Sequence, residues 1–194
     1  MLHFSLLGSG SAGNATYIAS RNHRILIDNG LSFKQLALRL CQIGVQAGGL
    51  DAVFVTHEHG DHVKGVGVLS RKLGVPIYFT RDTFSHLSPG VGKIGEARFI
   101  ESGEVVQVGD LEVGSFGISH DAADPVSYTV CSGGAKIGFA TDIGHVTQLV
   151  RSRLAGAHAL VLEANHCPEM LRKGPYPPQV QQRIRSRIGH LSNQ

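Results

Sequence analysis

Four side chains that commonly bind metal ions lie within six residues of one another, directly after an apolar run at residues 52–55. The segment reads Thr56-His57-Glu58-His59-Gly60-Asp61-His62. Alternate residues of an extended chain point to the same side, so His57 and His59 can bind one metal ion together. A turn followed by a helix would direct Asp61 and His62 into the same cavity, next to a second ion. Imidazoles and carboxylates suit zinc, iron or manganese, whereas a lone His-x-His pair would indicate surface histidines in a loop.

The rest of the chain alternates between predicted strands and helices, which indicates an α/β fold. Helical spacing of apolar residues predicts helices at residues 31–43, 63–73, 146–154 and 179–188. Short apolar runs at 97–100, 105–108 and 111–116, with a turn at Gly109-Asp110, predict an antiparallel meander. A length of 194 residues suits one domain that spans residues 1–194.

The segment Gly8-Ser9-Gly10-Ser11-Ala12-Gly13 matches the glycine pattern of dinucleotide-binding proteins, and Asp28 follows Gly8 by 20 residues. That pattern requires a helix to begin at the glycines. Instead, apolar runs at 15–19 and 25–28 flank a polar turn, which predicts a β-hairpin. A nicotinamide oxidoreductase is therefore disfavoured, although it remains an alternative.

Cysteine content and charge further limit the class of protein. Cys41, Cys131 and Cys167 form no paired motif, which predicts reduced thiols and a cytoplasmic protein. No apolar run approaches the length of a membrane span, and the apolar N-terminus lacks the basic residues of a signal peptide. From residue 170 to residue 194 there are five basic residues and no acidic one. Such a segment suits an anionic partner such as a phosphodiester, or is a solvated helix face.

The pattern His57-x-His59-x-Asp61-His62 resembles the signature of the metallo-β-lactamase superfamily of metal-dependent hydrolases. Other stretches resemble the YycJ/WalJ-like exonuclease branch, which is related to ribonuclease Z and to the cyclic phosphodiesterase of phosphonate breakdown. They are Gly8-Ser9-Gly10-Ser11-Ala12-Gly13-Asn14, Ser119-His120-Asp121-Ala122-Ala123-Asp124-Pro125, Ala140-Thr141-Asp142, Glu163-Ala164-Asn165-His166 and Gly189-His190-Leu191-Ser192-Asn193. The resemblance implies a metallo-β-lactamase αββα sandwich and two divalent metal ions, zinc first, with manganese or iron as alternatives.

The resemblance also assigns roles to individual residues. It implies that one ion is held by His57, His59 and His120, that Asp61 and His62 hold the second ion with one further ligand, and that Asp142 bridges the two. Asp142 would otherwise be a helix cap. Asp28 would orient the ligands by hydrogen bonds. The implied catalytic residues are Asp61 and His190, the latter protonating the leaving oxygen. The implied substrate contacts are Ser9, Ser11, Asn14, Asn165 and His166, with Cys167 standing where the branch has an acidic residue.

The end of the chain departs from the family pattern. In ribonuclease Z-like relatives the last metal ligand follows the Gly-His motif, after a further helix and strand. The resemblance therefore implies that this chain stops before that ligand and lacks the C-terminal helix and strand, unless another group fills the position. An exposed sheet edge would then favour association into a homo-oligomer.

These observations predict a two-metal phosphodiesterase or nuclease, similar to 5′–3′ exonucleases, that acts on DNA or RNA with water activated at the metals. Besides the nicotinamide oxidoreductase, two alternatives remain. One is a metallo-hydrolase of a small cyclic phosphate, thioester or lactone, which would tolerate alanine at Arg183, Arg185 and Arg187. The other is a non-catalytic nucleic-acid-binding protein with a degraded metal site, which would show no turnover with any metal.

Overall fold

The computed structural model describes residues 1–194, which form eleven strands and seven α-helices. The strands are β1 (His3–Gly8), β2 (Ala15–Ala19), β3 (Arg24–Ile27), β4 (Ala52–Phe54), β5 (Ile77–Phe79), β6 (Ala97–Phe99), β7 (Val105–Val108), β8 (Leu111–Gly117), β9 (Val126–Ser132), β10 (Ala135–Ala140) and β11 (Ala159–Leu162). The helices are α1 (Phe33–Gln42), α2 (Gly60–Val63), α3 (Val66–Leu73), α4 (Arg81–Ser85), α5 (Gln148–Leu154), α6 (Pro168–Lys173) and α7 (Pro178–Ile184). None of these helices has the length and apolar character needed to cross a membrane.

The strands form two mixed sheets. The first has the order β1-β2-β3-β4-β5-β6 and the second has the order β11-β10-β9-β8-β7. In the first sheet β1 to β3 are antiparallel and β3 to β6 are parallel. In the second sheet only β10 and β11 are parallel.

Alternate residues of each central strand serve different apolar layers, because successive side chains point to opposite faces of a sheet. Phe54 stacks on Tyr78 of the same sheet and meets the edge of Tyr128 from the other sheet, which builds the core between the sheets. The outer face of the first sheet packs on α1 and α3, through residues such as Leu36 and Leu69. A smaller cluster joins the second sheet to α5. The predicted αββα sandwich is confirmed.

Tyr128 ties the two sheets together by a hydrogen bond as well as by packing. Its buried hydroxyl donates to the Val55 carbonyl oxygen at 2.6 Å, just before the histidine-rich segment. Removal of the hydroxyl leaves that buried carbonyl without its partner. We expect Tyr128→Phe to lower the free energy of unfolding by about 1–3 kcal/mol. Urea denaturation measures this, with Tyr176→Phe, an exposed tyrosine, as the control. An equal effect of both substitutions would contradict the prediction.

The glycine-rich loop leads into a hairpin, as the sequence predicts. β2 pairs antiparallel with both β1 and β3, and no helix begins between Gly8 and Ala15. A phosphate-binding helix N-terminus is therefore absent from this loop, which excludes the dinucleotide-binding arrangement.

Several predicted boundaries differ from the structure. The helix predicted at 63–73 is two helices, α2 and α3, which are separated at Gly65. A side chain at Gly65 would overlap the Leu31 carbonyl oxygen, so the close approach of these segments requires glycine there. The predicted meander is confirmed only for β7 and β8, because β6 pairs with β5 in the other sheet. The basic helix predicted at 179–188 ends at Ile184.

Strands of both sheets end at one edge of the sandwich, and this geometry assembles the candidate site. In the first sheet, β3 leads to Asp28 and the parallel strand β4 leads to His57. In the second sheet, β8 and β10 run in the same direction because both are antiparallel to β9. They lead to His120 and Asp142, and polar side chains from both sheets therefore meet at this edge.

Candidate metal centre

Three histidines lie close enough together to hold one metal ion. One ring nitrogen from each of His57, His59 and His120 lies within 4.8 Å of the others. The His57 and His120 side chains are almost entirely buried. His120 Nε2 and His59 Nδ1 are 3.3 Å apart, a separation that suits two ligands of the same ion. The His120 ring is oriented by its other nitrogen, which donates to the Gly189 carbonyl oxygen at 3.2 Å.

A second group adjoins the first and shares His57 with it. His57, His62 and Asp142 also offer ligand atoms within 4.8 Å of one another. His62 Nε2 is 3.1 Å from Asp142 Oδ2 and 3.6 Å from Asp61 Oδ2. A third group, formed by His120, Asp142 and His190, overlaps both. Asp142 therefore lies between the two histidine sets, where a carboxylate can face two cations.

Hydrogen bonds fix the tautomer of His57 in the form that binds metal. The Thr56 hydroxyl donates to Asp28 Oδ2 at 2.8 Å, so its oxygen can only accept from His57 Nδ1, 2.9 Å away. The proton of His57 then lies on Nδ1, and Nε2 carries a lone pair. His57 Nε2 is buried and has no hydrogen-bond partner. An unpartnered lone pair among other ligand atoms fits a bound cation, because buried polar atoms are otherwise paired.

The ionisation of the metal-free cluster differs between two of its histidines: His57 is neutral and can bind a cation directly, whereas His62 must first release a proton. Burial and the positive charge of His62 lower the pKa of His57 well below its usual value, so its ring is neutral. Burial also opposes the charged form of His62, but the carboxylates of Asp28 and Asp142 outweigh it and raise the pKa of His62 to about 10. Burial opposes the charge of Asp142 as well, yet the hydrogen bond and charge of His62 prevail and lower the pKa of Asp142.

Asp28 holds the two histidine-bearing segments together. Its Oδ1 accepts from the Thr56 backbone N–H and its Oδ2 accepts from His62 Nδ1, each at 2.8 Å. Asp28 and Asp142 are the only non-glycine residues with positive φ, at 60° and 53°. Backbone conformations of this kind persist where surrounding contacts determine them, and they cluster at functional sites. Asp142 does not cap a helix, since α5 begins only at Gln148.

Asp61 belongs to none of the three groups but lies at their border. Asn14 Nδ2 donates to Asp61 Oδ2 at 3.0 Å, and the Asn14 backbone N–H donates to the Asp61 carbonyl oxygen at 2.7 Å. The Gly30 backbone lies so close that a side chain there would overlap the same carbonyl. The glycine-rich loop therefore fixes Asp61. The side chain of Asn14, predicted as a substrate contact, also lies 2.9 Å from His62 Nε2 through its Nδ2, and its Oδ1 accepts from the Gly10 N–H.

A cavity of about 640 Å³ opens over these residues. Its lining includes most of the residues predicted for metal or substrate, namely Ser9, Ser11, Asn14, His59, Asp61, His120, Asp142, Asn165 and His190. His166 does not line the cavity; its Nδ1 is buried without a partner, and its backbone carbonyl accepts from the Asn193 N–H. The substrate contact of His166 stays a prediction.

Two residues at the site were not identified from the sequence. One is Thr56, which links Asp28 to His57. The other is Glu163, whose Oε1 accepts from His190 Nδ1 at 2.6 Å and whose Oε2 accepts from the Ile143 and Leu191 N–H groups. The hydrogen bond to Glu163 raises the pKa of His190. A carboxylate directly after the apolar strand β11 is the same signal that marks Asp142, so the sequence contained the information for Glu163.

Comparison with known proteins gives one consistent result. The family described as "Beta-lactamase superfamily domain" matches residues 23–193. The chain is 42% identical over 195 residues to exodeoxyribonuclease YycJ of Bacillus anthracis, across 100% of this chain and 74% of that protein. It is 38% identical over 195 residues to exodeoxyribonuclease WalJ of Streptococcus pneumoniae, across 98% of this chain and 72% of that protein.

Solved structures agree in fold. Zinc-bound PqqB from Methylobacterium extorquens superposes with a TM-score of 0.79 and 16% sequence identity, over 100% of this chain and 82% of PqqB. At this identity the likeness concerns the fold alone, and it extends through both sheets.

Proposed function

The chain belongs to the β-lactamase superfamily and is a hydrolase, and from this premise we propose that it is a two-metal exonuclease that cleaves phosphodiester bonds in DNA. One observation carries the proposal: two ligand groups share His57 and open into one cavity. The two relatives matched across almost the whole chain are named exodeoxyribonucleases, which favours DNA over RNA. The 5′–3′ direction stays a prediction.

The metal ligands that we propose follow the two groups. His57, His59 and His120 would hold the first ion, and His62 with Asp142 would hold the second, with Asp61 beside it. Zinc suits this set of imidazoles and carboxylates, and manganese or iron would also bind it. Bound divalent ions would neutralise charge on the phosphoryl oxygens and lower the pKa of a water molecule.

The chain's own residues then orient the groups that move protons. Asn14 holds the Asp61 carboxylate towards the cavity, where it can accept a proton from the attacking water. Glu163 engages His190 Nδ1, so that Nε2 is the nitrogen left to serve the substrate. Because the hydrogen bond to Glu163 raises the pKa of His190, the ring can carry the proton that the leaving oxygen needs.

Glu163→Gln tests this role of His190. Loss of the carboxylate lowers the pKa of His190, so protonated His190 disappears at a lower pH. We expect kcat to fall by about tenfold and the alkaline limb of its pH profile to move to lower pH. Glu169→Gln is the control, since Glu169 forms only an exposed pair with Lys173. An unshifted profile with reduced kcat would contradict the proton-carrying role.

Hydrolysis of end-labelled oligonucleotides tests the proposed function directly. The protein is first freed of metal with a chelator. It is then supplied with manganese or zinc and incubated with single-stranded DNA or RNA. We expect metal-dependent release of mononucleotides from DNA, with a reduction of about 100-fold or more for Asp61→Ala. His86→Ala, an exposed histidine outside the cavity, is the matched control. If neither metal supports cleavage, or if Asp61→Ala cleaves as the wild type does, the proposal is wrong.

Three further predictions from the sequence stay predictions: one domain over residues 1–194, a cytoplasmic location, and association into a homo-oligomer. The last is supported by the edge strand β11, whose Leu160 and Leu162 side chains are about half exposed.

A further inference from the structure

Three of the four arginines of the basic C-terminal segment, Arg183, Arg185 and Arg187, lie close together in the sequence but are placed differently. Arg183 lines the cavity together with His59, His120 and His190, whereas Arg185 and Arg187 do not. The Arg187 guanidinium instead contacts His145 Nε2 at 3.0 Å. Only one arginine of the segment can therefore reach a substrate in the cavity.

Arg183 is held in place but keeps most of its hydrogen-bonding capacity. Its Nε donates to Asp121 Oδ2 at 2.7 Å. Neither of its two terminal nitrogens makes a hydrogen bond to the protein, and its side chain is 63% exposed. A guanidinium has five N–H donors in a rigid plane, so one bond at Nε fixes that plane and leaves four donors for an anion.

The cavity needs a cation for a second phosphate. Its acidic side chains are Asp61, Asp121, Asp142 and Glu163, and His190 is already engaged by Glu163. Arg183 is the only lysine or arginine among the lining residues. A nucleic acid strand carries one phosphate per nucleotide, so a strand bound for cleavage brings further phosphates next to the one at the metal centre. Asp121 directly follows His120, so the bond to Asp121 places Arg183 at a fixed position relative to the metal centre.

We propose that Arg183, oriented by Asp121, forms a subsite for the phosphate next to the one that is cleaved. The inference rests on the proposed phosphodiesterase function and adds to it a reason for preferring a polynucleotide to a small phosphodiester. Arg183 binds the non-bridging oxygens of the neighbouring phosphate through its terminal nitrogens. Asp121 is a positioning residue and does not contact substrate.

The test compares two substrates that differ in the number of phosphates. A single-stranded DNA oligonucleotide has a neighbouring phosphate, and bis(p-nitrophenyl) phosphate has none. We expect Arg183→Ala to lower kcat/KM for the oligonucleotide by about 10- to 100-fold, mainly through KM, as loss of a charged hydrogen bond does. Its kcat/KM for bis(p-nitrophenyl) phosphate should stay within about threefold of the wild type. Arg185→Ala is the matched control and should leave both substrates unaffected; Arg183→Lys should be intermediate for the oligonucleotide.

A chemical change in the substrate isolates the contact. Oligonucleotides with one uncharged methylphosphonate, on the 5′ or the 3′ side of the cleaved bond, are assayed with both proteins. On one of the two sides, we expect the methylphosphonate to lower the wild-type cleavage rate by the same factor as Arg183→Ala does. The same methylphosphonate should not lower the rate of the Arg183→Ala protein any further. Additive losses on both sides would overturn the inference.

The remaining outcomes are also decisive. An equal loss of kcat/KM on both substrates would mean that Arg183 acts at the cleaved phosphate or through the structure. No loss of kcat/KM on either substrate would mean that Arg183 binds no phosphate. Either result would overturn the proposed subsite. If the wild type cleaves neither substrate, the proposed function fails instead. Fluorescence anisotropy of oligonucleotide binding to the wild type and Arg183→Ala then decides the inference: equal affinities overturn it, and a weaker, less salt-dependent affinity of the variant supports it.

Discussion

Replacement of His57 by alanine should have the largest effect on activity of any single substitution at the site. His57 is shared by the first two ligand groups, and its Nε2 is the one ring nitrogen of the cluster that is buried without a partner. We expect His57→Ala to bind fewer than two metal ions per chain and to lower kcat/KM for DNA by at least about 1,000-fold, the equivalent of about 4 kcal/mol. Metal content by atomic emission and cleavage of labelled DNA measure the two effects.

The control for this prediction is His3→Ala, which removes an exposed histidine from β1, outside the cavity. It should bind two ions and cleave at the wild-type rate. A His57→Ala protein that binds two ions and keeps its activity would contradict the assignment of His57 as a ligand of the first ion. Circular dichroism establishes that both variants are folded.

Replacement of Asp28 by alanine should have the largest effect on stability. Asp28 and His62 form an ion pair with both side chains at most 4% exposed, and the Thr56 N–H and hydroxyl depend on the same carboxylate. Removal of Asp28 takes away the carboxylate that accepts from His62 Nδ1 and leaves the buried charge of His62 paired only on its Nε2 side, with Asp142. We expect Asp28→Ala to lower the free energy of unfolding of the metal-free protein by about 3–5 kcal/mol. Metal affinity should fall by about 10- to 100-fold, because the His57 and His62 rings lose their orientation.

The Asp28→Asn substitution removes the charge of this side chain and keeps its shape, so it separates the two contributions to stability. Asparagine tolerates the positive φ at this position and can still accept from the Thr56 N–H, so its loss of stability should be smaller. Because the pKa of His62 is raised to about 10, the ion pair stabilises the metal-free protein fully below the unfolded pKa, about 6.5, and is lost as pH rises towards 10. Urea denaturation in chelator should show this decline for the wild type and a weaker one for Asp28→Asn. Equal stability of Asp28→Ala and the wild type would contradict the prediction.

The parts of the site that follow strand ends were predictable from the sequence. The clustered ligand pattern after β4 indicated His57, and the family resemblance indicated His120 and Asp142, each of which follows an apolar strand. The two sheets bring these strand ends to one edge. The hairpin after the glycine-rich loop was equally predictable, since two short apolar runs separated by a polar turn override the glycine pattern.

Contacts that depend on hydroxyls and on close backbone approach were not predictable. Thr56 precedes His57 without any pattern of its own, and its role appears only when Asp28, 28 residues away, is placed beside it. Arg183 was one of several basic residues until its bond to Asp121 distinguished it. The division of the predicted helix at Gly65 likewise follows from a tertiary contact, the approach of Leu31.

The division of the candidate metal ligands between two sheets has a consequence during protein synthesis. Asp142 leaves the ribosome 85 residues after His57. At translation rates of about 5–20 residues per second, the nascent chain exposes an incomplete set of ligands for about 4–17 seconds. Within that interval Asp28 and Thr56 of the first sheet can already orient His57, but the Asp142 carboxylate between the two histidine sets is still missing. If the chain binds two ions as proposed, the site that holds both would be complete only after the second sheet has docked.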